Sequence, residues 1–147
     1  THLYLKKSPK RIAFDSLPIS LTHLTIGSPY NNHLDIEYLE NLTHLWMGDT
    51  FNTTFRLPQS LTHLNVGRYF NERIDRLPTN LKCLVLWSKF RHTLRNIPES
   101  ITDIYFEASY WIKYQYQSMD YYKIFPIENP PTIHFKFNYS DVYKKFL

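Results

Sequence analysis

Cysteine is nearly missing from this chain of 147 residues. Its one example, Cys83, excludes an intramolecular disulfide and any zinc site built on several thiolates, and reads as a lone structural or surface thiol. Glycine is almost as scarce, at 3 residues, so there is no Gly-rich loop to cradle a phosphate. No apolar run approaches membrane-spanning length. The opening THLYLKKSPK lacks the form of a signal peptide and reads as the interior of a unit whose first position is missing, so the chain is expected to be a fragment of something longer. A serine, histidine and acid trio at an informative spacing is absent as well. The acidic pair Asp35 and Glu37 reads as a solvated turn. These absences lead to the expectation of a non-catalytic protein with no metal and no cofactor. Aromatic residues, by contrast, are plentiful: 12 Tyr, 10 Phe and 3 Trp, far more than a disordered segment carries. The net charge of +4 permits an acidic partner without identifying one.

The chain says nearly the same thing again every 19 to 21 residues. Units open at Leu21, Leu42, Leu61, Leu81 and Ile101, with a truncated unit before them. Three residues on stand Leu3, Leu24, Leu45, Leu64, Leu84 and Ile104, and two further Leu5, Ile26, Met47, Val66, Leu86 and Phe106. Apolar residues at the fourth and sixth positions mark a strand with one face turned inward. A strand this short cannot bury its own face, so successive units must stack, with strands about 4.8 Å apart. The expected fold is a mainly β or α/β-type repeat solenoid, with a parallel sheet on one face and irregular connections on the other. Tyr30, Phe51, Phe70 and Phe90 are expected to fill the middle of the coils, followed by Leu34, Phe55, Ile74 and Leu94. Leu17-Pro18, Leu57-Pro58, Leu77-Pro78 and Ile97-Pro98 mark corners, where proline fixes the backbone. Asn31, Asn52 and Asn71 follow the aromatic and are expected to form a buried structural ladder that loosens at Arg91. Gly27, Gly48 and Gly67 point to a bend or a close approach after each strand.

The recurring LTHL at 21, 42 and 61, the Phe-Asn pairs at 51 and 70 and the proline corners resemble leucine-rich repeats, and more closely the FNIP-type repeats of social amoebae and giant DNA viruses of amoebae. Residues 1 to about 106 carry the likeness. Unit 21–41 departs from it, with Tyr30-Asn31 in place of Phe-Asn and EYLEN in place of the proline corner. The chain divides into a repeat region, 1–107, and an aromatic-rich C-terminal cap, 108–147, in which a short helix is expected around 117–125, a Pro-rich turn at 126–131 and a strand at 132–137.

Function is expected on the outer face of the sheet. The third position reads His2, His23, His44, His63, Cys83, Asp103, and the fifth Tyr4, Thr25, Trp46, Asn65, Val85, Tyr105. The histidines read as scaffold, stacking at one strand spacing with a repulsion that grows as pH falls. Tyr4, His23, His44, Trp46, His63, Asn65, Trp87 and Tyr105 are the binding-face candidates, with Trp46, Trp87 and Tyr105 expected as exposed aromatic surface for a protein partner. The alternative is a nucleic-acid-binding protein whose basic edge gathers Lys6, Lys7, Lys10, Arg11, Arg68, Arg73, Arg76, Lys144 and Lys145. The resemblance implies that relatives join such repeats to an amino-terminal F-box, hence a ubiquitin-ligase adaptor docking through a missing upstream region. Glycosylation sequons at Asn41, Asn52 and Asn138 read as accidental, and the expected location is the cytoplasm, the host's for a viral protein.

Overall fold

The computed structural model describes residues 1–5, 14–87, 89–92, 94, 96–106, 132–135 and 139–146. The helix expected at 117–125 and the turn at 126–131 lie outside the described residues. A seven-stranded sheet runs β1 (His2–Leu5), β2 (His23–Ile26), β4 (His44–Met47), β6 (His63–Asn65), β7 (Cys83–Leu86), β8 (Asp103–Phe106) and β9 (Thr132–Phe135), each strand parallel to the next. Pairing is strictly in register: His2, His23, His44, His63, Cys83, Asp103 and Thr132 lie opposite one another in turn. Parallel in-register pairing sets each residue beside its counterpart one coil later, so the sequence columns become physical columns. The molecule is a parallel β-solenoid with irregular connections opposite the sheet.

The inward columns build the core: Leu24, Leu45, Leu64, Leu84 and Ile104 are all buried, as are Ile26, Met47, Val66 and Leu86. Across the coil Tyr30, Phe51, Phe70 and Phe90 stack face to face at 6.2, 6.0 and 6.2 Å. Leu34, Ile74 and Leu94 are buried behind them and Phe55 is half-buried. There β3 (Leu34–Asp35) and β5 (Phe55–Arg56) form a second, two-stranded parallel sheet. Each proline corner closes with an amide three residues on, from Leu21 to Pro18, Leu61 to Pro58, Leu81 to Pro78 and Ile101 to Pro98. The proline-free unit closes the same turn from Leu42 to the carbonyl of buried Leu39.

The Asn ladder forms, with its setting corrected. Asn52 N–H donates to Asn31 Oδ1 and Asn71 N–H to Asn52 Oδ1, both at 2.7 Å. Asn31 is exposed and Asn52 and Asn71 are half-buried, because the turn lies at the coil surface. The ladder also continues past its last Asn: Arg91 N–H donates to Asn71 Oδ1 at 2.9 Å, a bond that needs only a backbone amide. Two glycines owe their place to close packing. A Cβ on Gly48 would stand 2.7 Å from Ser28 N, and one on Gly67 would stand 2.3 Å from Gly48 O at a backbone φ of 80°.

Candidate interaction face

Outward from the sheet, each coil repeats one polar rung. The carbonyl of Thr22 accepts from Thr43 N at 2.9 Å, His44 N at 3.1 Å and Thr43 Oγ1 at 3.1 Å, and the carbonyls of Thr1 and Thr43 repeat the arrangement. Each hydroxyl has one hydrogen, already given to that carbonyl, so Thr22, Thr43 and Thr62 must accept from Nδ1–H of His23, His44 and His63 at 2.8 to 2.9 Å. The rungs thereby set the Nδ1–H tautomer and leave Nε2 as the basic nitrogen. The imidazoles of His2, His23, His44 and His63 stack at 3.9, 4.1 and 4.2 Å. Burial, followed by neighbouring imidazoles, pushes His23 and His44 down to about 4. Burial and then Lys145 and Lys82 lower His63. Among the described residues no cluster of three or more His, Cys, Asp or Glu side chains could hold a metal.

The fifth column corrects one expectation. Trp46, Trp87 and Tyr105 are 6%, 2% and 7% exposed, and Asn65 is 1% exposed. Asn65 satisfies itself inside this layer, donating Nδ2–H to Met47 O at 3.1 Å and accepting the Trp87 indole N–H at 2.6 Å. Trp46 is covered by the C-terminal segment, Tyr105 by His134 and Lys145, and Trp87 lies against Asn65 and Arg68. A helix, Tyr139–Tyr143, and a 3₁₀ turn, Lys144–Phe146, lie on the outer face and build a second apolar cluster with Trp46, Cys83, Val85, Trp87 and Tyr105. Phe146 meets Trp46, His63 and His44 edge to face at 5.0, 5.8 and 6.2 Å, and Tyr143 meets Trp46 at 5.1 Å. Of the eight candidates only Tyr4 is exposed, at 53%, while His23, His44 and His63 are half-buried. Tyr4 and the half-buried Thr25 mark the β1–β2 end of the face.

At β8 and β9 the face also carries charged and polar groups. Asp103 accepts from His134 Nε2 at 2.6 Å and from Thr102 Oγ1 at 2.8 Å; burial alone would raise its carboxyl, and these bonds hold it below the usual range. His134 stacks on Tyr105 at 4.2 Å, and the Lys145 ammonium lies 5.1 Å from the centre of the Tyr105 ring. A hydrogen bond with Tyr105, followed by the electrostatics of Tyr105 and Asp103, raises the exposed Lys145 against partial desolvation. The strand expected at 132–137 is present as Thr132–Phe135, but sequence reading missed Val142, Phe146 and His134 on this face and placed Lys145 only on a basic edge. One signal for the segment was available: Val142 and Phe146 share a helical face at four-residue spacing.

Cys83 is buried, and burial pushes its thiol up to about 12, which keeps it protonated and suits a packing role. Asp35 and Glu37 face Arg56 at 3.8 and 3.9 Å on the exposed side opposite the sheet. The described basic residues divide between two sides. Arg76 lines an open cleft of about 440 Å³ with Arg56 and Glu37 behind the sheet, whereas Lys144 and Lys145 belong to the segment on the outer face. Arg68 stands 3.9 Å from Asp49 and 5.3 Å from the Trp87 ring centre. Lys6, Lys7, Lys10 and Arg11 lie outside the described residues. Among the described residues no helix is long and apolar enough to cross a membrane.

The architecture defines a leucine-rich-repeat-like parallel solenoid. No family model and no curated protein matches the chain. Among solved structures it is similar to CroV588, described as a novel circular LRR protein, at 36% sequence identity and a TM-score of 0.63. The match covers 72% of this chain and 17% of that one. The likeness supports a leucine-rich-repeat type of solenoid.

Proposed function

We propose that the chain is a protein-interaction module of leucine-rich-repeat type that binds through the outer face of its parallel sheet. One observation carries this reading: a segment of the chain itself already lies on that face through ring contacts, over a fifth column that changes from coil to coil, Thr25, Trp46, Asn65, Val85, Tyr105, while the histidine column repeats. A surface that accepts a short segment in cis has the aromatic anchors and polar margin of a recognition site. The finer assignment, an FNIP-type repeat acting as the substrate-recognition part of an F-box ubiquitin-ligase adaptor, rests on the sequence resemblance, and a segment outside these residues would supply the ligase contact.

The β1–β2 end tests the reading, because Tyr4 is exposed and its replacement leaves the buried layers alone. Intact chain and a Tyr4→Ala, Thr25→Lys variant serve as baits in an amoebal lysate, with and without nuclease treatment. A protein held by the first and lost by the second, with equal circular dichroism, is the expected result. Capture that disappears on nuclease treatment would overturn it in favour of a nucleic-acid partner.

A further inference from the structure

Phe146 occupies a notch with three ring walls: Trp46 at 5.0 Å, His63 at 5.8 Å and His44 at 6.2 Å, at interplanar angles of 88°, 82° and 85°. Three near-perpendicular contacts place one ring edge against three ring faces or edges, the arrangement aromatic quadrupoles favour. The walls are set independently of the ring they hold. His44 and His63 are fixed by Thr43 and Thr62 and by stacking on each other at 4.2 Å. Trp46 belongs to β4 and pairs in register with Thr25 and Asn65.

Next to the notch lies a seat for a cation. Lys145 stands over the Tyr105 ring at 5.1 Å, and Asp103, beside Tyr105 on the outer face of the sheet, contributes attraction. Val142, 1% exposed, packs into the same cluster four residues before Phe146. The face thus reads three features of one short segment: an apolar residue, a lysine three positions later and an aromatic ring immediately after it.

We propose that this notch and the adjoining Tyr105–Asp103 seat form a docking site for a short helical segment of a partner protein carrying that apolar, lysine, aromatic pattern, and that residues 139–146 close the site in cis as a competing occupant. The proposal deepens the interaction-module reading and rests on it. Its argument is the segment seated there and the match between a lysine and the Asp103 carboxylate with the Tyr105 ring. A site filled most of the time binds a partner with an apparent affinity reduced by the fraction open. Loosening the cis segment therefore strengthens binding in trans.

The probe is a labelled peptide spanning residues 139–147, beside the same peptide with Phe146→Ala. Titrated into the wild-type chain it is expected to bind weakly, and into the Phe146→Ala chain at least about ten-fold more tightly. The substituted peptide loses that gain. Should the Phe146→Ala chain fail to fold, Lys145→Ala empties the Tyr105–Asp103 seat without touching the buried rings and is expected to raise peptide affinity about two- to five-fold. Folded opened chains that bind both peptides equally would overturn the proposal. So would a wild-type dimer that the native peptide dissociates, which assigns the notch to a second copy. Peptide binding lost while capture through the Tyr4 end persists sinks this inference and leaves the module reading standing; loss of capture with peptide binding retained does the reverse.

Discussion

At the scale of single residues, the solenoid is held by polar groups many of whose partners lie one coil away. Asn52 shows the principle, receiving the Asn71 amide through Oδ1 while its own amide goes to Asn31. Asn52→Ala removes one acceptor and is expected to cost about 1 kcal/mol in thermal or urea denaturation, whereas Asn52→Asp keeps the acceptor and most of the stability. The histidine rungs predict acid sensitivity. A folded value of about 4 for His23 and His44 lies below the ordinary 6.5, so the unfolded chain binds more protons between those values. Their stabilising share is complete above about pH 6.5 and is lost as pH falls towards 4; the lowered Asp103 adds a loss below its ordinary 3.8. Urea midpoints should fall from pH 7 to pH 4, and imidazole resonances of His23 and His44 that titrate near 6.5 would refute the assignment. The Asn and His columns were legible because they recur in sequence. The burial of Trp46 was not, because its cover lies almost a hundred residues further along the chain.

At the scale of elements, strand register and the aromatic stack follow from periodicity alone. Units of 21, 19, 20 and 20 residues still put every strand column in register, since the differences are absorbed in the turns behind the sheet. The proline corner proved replaceable: Leu39 closes the turn that Pro58 and Pro78 close elsewhere. The glycine column is less forgiving. Gly67→Ala would force a left-handed backbone on a residue with a Cβ and drive that Cβ against Gly48 O, so a loss of about 2 kcal/mol or more is expected in denaturant titration. Gly48→Ala meets backbone of the previous coil without the left-handed strain and should cost less. Trp87 standing in the column one coil later was legible as the end of the glycine run. Its indole bond to Asn65 was not, because nothing in a repeat alignment pairs the seventh position with the fifth.

At the scale of the whole molecule, one sheet separates two apolar layers, a long inner core and a smaller outer cluster closed by residues 139–146. Neighbouring coils of a solenoid hold one another, so the inner layer should survive loss of the outer. Phe146→Ala is expected to speed amide hydrogen exchange at residues 139–146 while β2, β4 and β6 keep their protection; equal acceleration in both would show one cooperative unit. Many side-chain hydrogen bonds between coils also share a direction. The hydroxyls of Thr43, Thr62, Ser60 and Ser100, the amides of Asn41, Asn65 and Asn80 and the indole of Trp87 all donate to an oxygen of the coil before. These side-chain bonds are therefore directional along the axis, whereas the backbone donates both ways, Gly27 N–H to Leu5 O but Val66 N–H to Val85 O and Leu34 N–H to Thr54 O. An engineered extension of the stack would continue these side-chain bonds only where two arrays are joined head to tail.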